Sequence, residues 1–146
     1  DQKTLEQFDR SLFEFHKIVE MEILPVTALD HDGTAKYSLD QSFPLLSYSK
    51  QAYLRNCVDE AIENKLDYRT LYETDNAGDL KELVLQGLGV AWLPKLLVER
   101  EIQENKLKVL DGNQYYLFQD VYLVKREMSF SNRINYIWNI LIQKNK

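Results

Sequence analysis

The side chains best suited to chemistry in this sequence are hydroxyls, amides and one carboxylate, which stand where extended segments are predicted to give way to helices. They form two groups: Ser47, Tyr48 and Ser49, and then Thr74, Asp75 and Asn76. Hydroxyl and amide groups both donate and accept hydrogen bonds. A helix that begins beside them offers backbone N–H groups and the positive end of its dipole to an anion. These residue types at such junctions are suited to binding a small anionic ligand.

From the local sequence alone, the favoured interpretation of each group is a helix cap. Ser49 is typical of N-cap positions, and Asp75 or Asn76 is placed to cap the next helix, with Asp79 in its first turn. Asp75 would repel an anionic effector, so the sequence leaves the charge of the ligand open. Trp92 is a further candidate for the wall of such a site, although a large aromatic residue in an apolar run favours a place in the core.

Motifs for catalysis, cofactors and metals are weak in this sequence. The Gly87-Leu88-Gly89 stretch lacks the third glycine of a dinucleotide fingerprint and precedes a predicted strand. The Asp30-His31-Asp32 turn is typical of solvated acidic turns, since zinc sites need more ligands at better spacing. Cys57 lies on an apolar helix stripe, which predicts a buried, inert thiol. We predict no catalytic residue, no metal site and no cofactor.

The elements that must position the candidate residues alternate between strand and helix, which favours an α/β class. In chain order the predictions are a short helix through Leu5, Phe8, Leu12 and Phe13, a strand over 17–26, a strand over 43–48, a helix from Ser49 to about Lys65, a strand over 68–74, a helix around Leu80, a strand over 90–93, a helix through Leu97, Val98 and Ile102, a turn over 111–113, an extended run over 115–125, and a last helix through Ile134, Ile137, Trp138 and Leu141. In the first strand, Val19, Met21 and Ile23 alternate with glutamates, which predicts one dry face.

The segment from Glu82 to Pro94 carries the strongest local pattern. Gly87 suits the left-handed conformation that closes a helix, and Gly89 permits a close backbone approach. The apolar run before Pro94 suits a strand covered on both faces, and proline ends its hydrogen-bond ladder. A helix that leads into a buried strand predicts a parallel α/β sheet, which binds ligands at its strand ends.

Length, charge and cysteine content limit the class of protein. The chain has 146 residues, is 45% hydrophobic and carries a net charge of -5, which fits one compact domain or two small lobes and argues against a nucleic-acid surface. No stretch approaches the roughly 20 apolar residues of a membrane span, and no secretory signal is visible at Asp1. The single cysteine excludes an intrachain disulfide and fits a cytoplasmic setting.

The run from Leu80 to Leu110, with its Gly-x-Gly-aliphatic-small-x-x-Pro stretch, resembles the effector-binding domain of LysR-type transcriptional regulators. The resemblance implies a type II periplasmic-binding-protein-like α/β fold, truncated at its N-terminus. Residues 1–29 would be a remnant of the first lobe with a crossover strand. Residues 30–120 would be the second α/β lobe, and residues 121–146 the return crossover strand and C-terminal helix of the first lobe.

The implied function is to sense a small-molecule effector between two lobes, with DNA bound only through an N-terminal helix-turn-helix outside this chain. No catalysis and no membrane partner are expected. The sequences of the Phe43–Tyr48 strand and of Gly89–Pro94 are similar to those of the hypochlorite-responsive subgroup of this family. Those sensors are thought to use methionine oxidation, and only Met21 and Met128 are present here. The alternatives are a free-standing solute-binding protein of the same fold and, ranked last, a prephenate-dehydratase-like enzyme, which would need a Thr-Arg-Phe stretch.

Self-association is expected because the resemblance implies a truncated first lobe. A first lobe without its opening elements would leave apolar surface uncovered along the Ile134–Leu141 helix and the crossover strands, and such surface favours a partner. The sequence therefore predicts a dimer or a higher oligomer.

Overall fold

The computed structural model describes residues 13–110 and 113–126. The strands and helices in this part of the chain are β1 (Phe13–Ala28), β2 (Phe43–Tyr48), α1 (Tyr53–Ile62), β3 (Tyr68–Thr74), α2 (Ala77–Leu85), β4 (Ala91–Pro94), α3 (Lys95–Gln103), β5 (Leu107–Val109) and β6 (Leu117–Arg126). The α/β class predicted from the alternation is confirmed. The predicted turn residues Asp111 and Gly112 and the helices predicted through Leu5–Leu12 and Ile134–Leu141 lie outside the described residues.

The chain divides into two compact units, one of residues 1–21 and 118–146 and one of residues 22–117. In the first, the described residues form extended segments of β1 and β6, which pair with each other. The second holds the helices and the remaining strands. The domain boundaries expected from the family resemblance stay a prediction.

Strands β2 and β3 are parallel, and they keep their register from Phe43–Tyr68 to Tyr48–Thr74 with one irregularity after Leu45. Their bounds match the predicted strands, because each apolar or β-branched run is enclosed by turn residues. Since α1 connects the two strands and α2 follows the second, both helices begin near the carboxyl ends of neighbouring parallel strands. This is the edge where open α/β sheets bind ligands.

Strand β4 differs from the prediction of a purely parallel sheet. It pairs antiparallel with β1, from Ile23–Pro94 to Val26–Ala91, and only the preceding residue Val90 forms a parallel bridge, to Leu45. Gly89 makes this bridge possible, because a Cβ there would stand 2.6 Å from the Pro44 carbonyl oxygen. The apolar run was correctly identified as a buried strand, but an apolar run does not specify the direction of its neighbours.

Strand β1 also differs from its prediction. The sequence predicted one dry face, whereas every residue from Ile23 to Ala28 is buried. Strands β4 and β5 flank this part of β1 within the sheet, and the buried run shows that both of its side-chain faces are covered. Phe13 was predicted in a short helix and instead begins the strand.

The turn between α2 and β4 follows the predicted glycine pattern. Gly87 has φ of 81°, a left-handed conformation that glycine adopts without steric cost. Its carbonyl oxygen accepts hydrogen bonds from Lys36 Nζ at 2.8 Å and from the Tyr37 hydroxyl at 3.2 Å. The long connection between β1 and β2 thus fixes the turn that places β4. Among the described residues, no helix has the length and apolar character needed to cross a membrane.

Candidate ligand-binding site

The two groups of candidate residues meet at the carboxyl ends of β2 and β3. Tyr48 and Thr74 stand opposite each other in the register, and the Ser49 N–H donates to the Thr74 carbonyl oxygen at 3.0 Å. The residues that follow each strand are therefore neighbours, as expected for successive parallel strands. We call the residues 47–52 the first junction and the residues 74–79 the second junction.

The first junction has no side-chain helix cap. Ser49 was predicted as the N-cap, and this prediction is wrong, because α1 begins four residues later and its N-cap residue is Ala52. Residues 49–52 form a turn instead, in which the Ala52 N–H donates to the Ser49 carbonyl oxygen at 2.9 Å. The first turn of α1 also contains no acidic residue. The first turn of α1 therefore supplies no carboxylate and no side-chain cap of its own.

Ser47 and Tyr48 both lie below the surface of the first junction. Ser47 is 3% exposed, and its hydroxyl makes no hydrogen bond within the described part of the chain. Tyr48 is 2% exposed, and its hydroxyl donates to the Trp92 carbonyl oxygen at 2.7 Å. Burial raises the pKa of Tyr48 well above its usual value, so the phenol stays protonated and remains a donor. Ser49 is half-buried and Lys50 is exposed.

The second junction is capped by its own side chains. Asn76 Oδ1 accepts from the Gly78 N–H at 2.7 Å and from the Asp79 N–H at 3.4 Å, so the predicted cap is confirmed. The Thr74 hydroxyl oxygen accepts from the Asn76 N–H at 3.3 Å, and the same hydroxyl donates to Asp79 Oδ2 at 3.4 Å. Asp75 is exposed. An amide cap and an acidic first turn already satisfy the start of α2.

Arg55 connects the first junction to β3, and the sequence predicted no role for it. Its Nη1 donates to the Tyr48 carbonyl oxygen at 2.8 Å and to Glu73 Oε1 at 3.0 Å. Its Nε donates to Asp59 Oδ2 at 2.8 Å. The hydrogen bond to Asp59, and then that to Glu73, raise the pKa of Arg55. The i, i+4 spacing of Arg55 and Asp59 was the available sequence signal for part of this arrangement.

Trp92 occupies the core position that the sequence favoured for it. It is 1% exposed, its Nε1 donates to the Tyr115 carbonyl oxygen at 2.8 Å, and its ring lies 6.5 Å from that of Phe43. The side chain is therefore satisfied and covered by protein. Trp92 would contribute to a ligand site only indirectly, because its carbonyl oxygen accepts the hydrogen bond from the Tyr48 hydroxyl.

Other residues considered from sequence have structural roles or intermediate exposure. Asp30 Oδ1 accepts from the backbone N–H groups of Asp32 and Thr34, as expected for a self-contained turn. No group of three or more potential metal ligands occurs in the ranges 13–110 and 113–126. Cys57 is only half-buried, so the prediction that its thiol is buried is wrong. Met21 is half-buried as well.

A family model described as the LysR substrate binding domain matches residues 4–144 of this chain. Among curated proteins, the HTH-type transcriptional regulator YjiE of Escherichia coli (strain K12) is 32% identical over 105 residues, which cover 70% of this chain and 35% of YjiE. The HTH domain-truncated transcriptional regulator QseD of Escherichia coli O157:H7 is 31% identical over 105 residues, or 70% of this chain and 43% of QseD. The chain thus spans less than half the length of these two relatives.

Solved structures of the HypT regulatory domain from Salmonella typhimurium have the same fold. The apo form has a TM-score of 0.83 at 27% identity and covers 92% of this chain and 68% of that one. A bromide-bound form has a TM-score of 0.81 at 27% identity, with 92% and 67% covered. The full-length protein is described as a hypochlorite-specific LysR-type transcriptional regulator.

Proposed function

The chain belongs to the LysR substrate-binding domain family, and from this premise we propose that it is the ligand-sensing regulatory part of a LysR-type DNA-binding transcriptional regulator. Both curated relatives are named as transcriptional regulators, which favours this role over that of a free-standing solute-binding protein. DNA would be bound by an N-terminal helix-turn-helix module outside these residues. The work of this domain would be binding and self-association in the cytoplasm, without catalysis.

The observation that carries the proposed site is the contrast between two adjacent helix starts. The first junction lacks a side-chain cap and an acidic residue, whereas the second supplies both. An anionic or hydrogen-bond-accepting group of the effector would bind at the start of α1, where aligned backbone dipoles favour negative charge. The Ser49 hydroxyl would donate to the same group.

The second junction would contact a different part of the effector. Asp75 is exposed and would accept from a donor or cationic group, and the Thr74 and Asn76 side chains lie beside it. The effector would then carry both an acceptor and a donor, as an amino acid or a hydroxy acid does. Ser47, Tyr48 and Trp92 would support the site from below, since all three are buried.

Regulation would follow from a difference in affinity. An effector shifts the arrangement of a two-lobe domain only if it binds one arrangement more tightly than the other. A change from about 1:99 to 99:1 requires a preference of roughly 10⁴-fold. That shift would be transmitted to the DNA-binding module through a dimer or higher oligomer.

A second candidate is oxidant sensing, favoured by the similarity to HypT at 27% identity. Oxidation of methionine converts an apolar side chain into a polar one and disrupts its packing. Met21 is half-buried, so an oxidant reaches it more readily than a core residue. Met128 lies outside the described residues. Mass spectrometry after hypochlorite treatment tests this candidate: sulfoxide at Met21, with an altered oligomeric state, is the expected result.

Sequencing the reading frame on the N-terminal side of Asp1 tests the regulator proposal. A helix-turn-helix module joined in frame is the expected result. A secretion signal without such a module would contradict it and favour a solute receptor.

Thermal unfolding with a probe panel tests the ligand site. The panel contains sodium bromide, sodium chloride, L-amino acids and small hydroxy acids. A probe at 100 times its Kd stabilises the fold by about 2.7 kcal/mol, or roughly 5–10 °C in Tm. Ser49→Ala should reduce the shift, whereas Thr70→Ala, which removes an exposed hydroxyl within β3, should not. If every probe stabilises Ser49→Ala and the wild type equally, the site lies elsewhere.

A further inference from the structure

One peptide group at the first junction is fixed from both sides. The carbonyl oxygen of Tyr48 accepts from Arg55 Nη1 at 2.8 Å, and the N–H of Ser49, which belongs to the same peptide group, donates to the Thr74 carbonyl oxygen at 3.0 Å. Rotation of this peptide group would break both hydrogen bonds. Its orientation sets the path of the turn that leads from β2 into α1.

Arg55 holds its side of this peptide through contacts to three elements. It lies on α1, contacts the last residue of β2, and pairs with Glu73 in β3 and Asp59 on its own helix. The Arg55 side chain is 17% exposed, and that of Glu73 is 38% exposed. The guanidinium is planar and its donors form a rigid fork, so binding three acceptors at once fixes the position of the group. A lysine ammonium could contact one or two of these acceptors but could not reproduce the fork.

We propose that Arg55 is the positioning residue of the ligand site, because it fixes the Tyr48–Ser49 peptide and links the first junction to Glu73 in β3. This inference rests on the proposed function for the assignment of that peptide to a ligand site. Arg55 itself uses its described donors on protein acceptors, so it orders the turn and does not need to contact the effector. A turn ordered before binding loses less conformational entropy when the effector arrives, which raises affinity.

The order at this peptide is measured by amide hydrogen exchange, which needs no ligand. In Arg55→Gln, exchange of the Ser49 N–H should accelerate at least about tenfold, as expected for local opening of one segment. Leu46 also lies in β2, its N–H donates to the Val90 carbonyl oxygen, and its exchange should keep the wild-type rate. Arg69→Gln makes the same chemical change at an exposed residue of β3 and should leave both rates unchanged.

Arg55→Lys separates geometry from charge. It keeps the positive charge and loses the fork, so Ser49 exchange should lie between the wild-type and Arg55→Gln rates. A wild-type rate in Arg55→Lys would contradict a role for the fork. Equal acceleration at Ser49 and Leu46 in Arg55→Gln would also overturn the proposal, because Arg55 would then stabilise the whole fold and not one peptide.

Binding is measured by titration with sodium bromide, because bromide is the ion bound to the HypT regulatory domain. The NMR chemical shifts of the Ser49 and Lys50 amides should change with bromide and reach saturation in the wild type and in Arg69→Gln. In Arg55→Lys, saturation should require a several-fold higher bromide concentration. Unchanged bromide affinity in Arg55→Lys would overturn the positioning role even if exchange accelerates. If bromide moves neither amide in the wild type, the anion subsite of the proposed function fails, while the exchange rates still decide whether Arg55 orders the peptide.

Discussion

The two strand–helix junctions have the same topology and opposite chemistry. At the second junction, Asn76 caps α2 and Asp79 lies in its first turn, so the helix start is satisfied within six residues of sequence. At the first junction, Ala52 is the N-cap residue, and the order comes from Arg55, which binds Tyr48 from the side. At the second junction, the side chains of the sequence itself satisfy the helix start. The start of α1 has no such local cap, and this difference underlies the anion site that we propose there.

Tyr48→Phe should have the largest effect on stability among the changes that test this comparison. It removes the buried donor of the Trp92 carbonyl oxygen, and an unsatisfied buried acceptor costs about 1–3 kcal/mol. Denaturant unfolding measures the loss. Tyr72→Phe is the matched control in β3, where the side chain is 48% exposed, and it should change stability by less than about 0.5 kcal/mol. Equal losses would mean that the Tyr48 hydroxyl does not fix the first junction.

Asn76→Ala should come next, because it removes the cap of α2. Loss of an N-cap side chain costs about 1 kcal/mol, or roughly 2–4 °C in Tm for a chain of this size. Asn76→Asp keeps an acceptor that caps well and should stay near the wild type. If Asn76→Ala unfolds at the wild-type temperature, the second junction does not depend on its cap, and the contrast with the first junction weakens.

Ala52→Asp should give the first junction the side-chain helix cap that the second junction has. A carboxylate at the N-cap position should stabilise α1 by about 0.5–1 kcal/mol, and the added negative charge should weaken binding of bromide. Ala52→Asn supplies a neutral cap, so it should stabilise similarly while repelling the anion less. Calorimetric unfolding and bromide titration of the two variants measure both effects. No gain in either variant would show that the start of α1 needs no cap.

Ser47→Ala should have the smallest effect, with the opposite sign to most core changes. The Ser47 hydroxyl is buried without a hydrogen-bond partner in the described residues, so its removal should leave stability unchanged or raise it by up to about 1 kcal/mol. Ser38→Ala is the control, because its Oγ accepts from the Asp40 N–H at 3.1 Å; we expect a loss of about 0.5 kcal/mol there. A clear loss in Ser47→Ala would indicate a hydrogen bond at Ser47 in solution.

The sequence predicted elements better than it predicted partners. The bounds of β2 and β3, the glycine turn at Gly87 and the Asn76 cap all follow from local residue types, and the structure confirms them. Local sequence patterns did not predict the structure where it depends on a contact between residues far apart in the sequence. The apolar run of β4 gave no information that β1 would be its antiparallel neighbour.

The candidate site shows the same limit. Ser49 has the residue type of a cap, yet its N–H pairs with the distant Thr74 carbonyl oxygen, and α1 begins only after the turn that the Ala52 N–H closes on Ser49. Whether Ser49 and the other candidate residues contact an effector stays a prediction, because contacts between a site and its ligand depend on shape and charge that residue types alone do not determine.

The place of β4 has a consequence for synthesis of the chain on the ribosome. Through Val90 and Ala91, this short segment lies between β2 and β1, although it emerges after both. A nascent chain that ends before Gly89 exposes the facing edges of β1 and β2, and such unpaired edges favour aggregation. At about 5–20 residues per second, the interval between completion of β2 and arrival of β4 lasts roughly 2–9 seconds. We expect chaperone contacts during translation to concentrate in that interval.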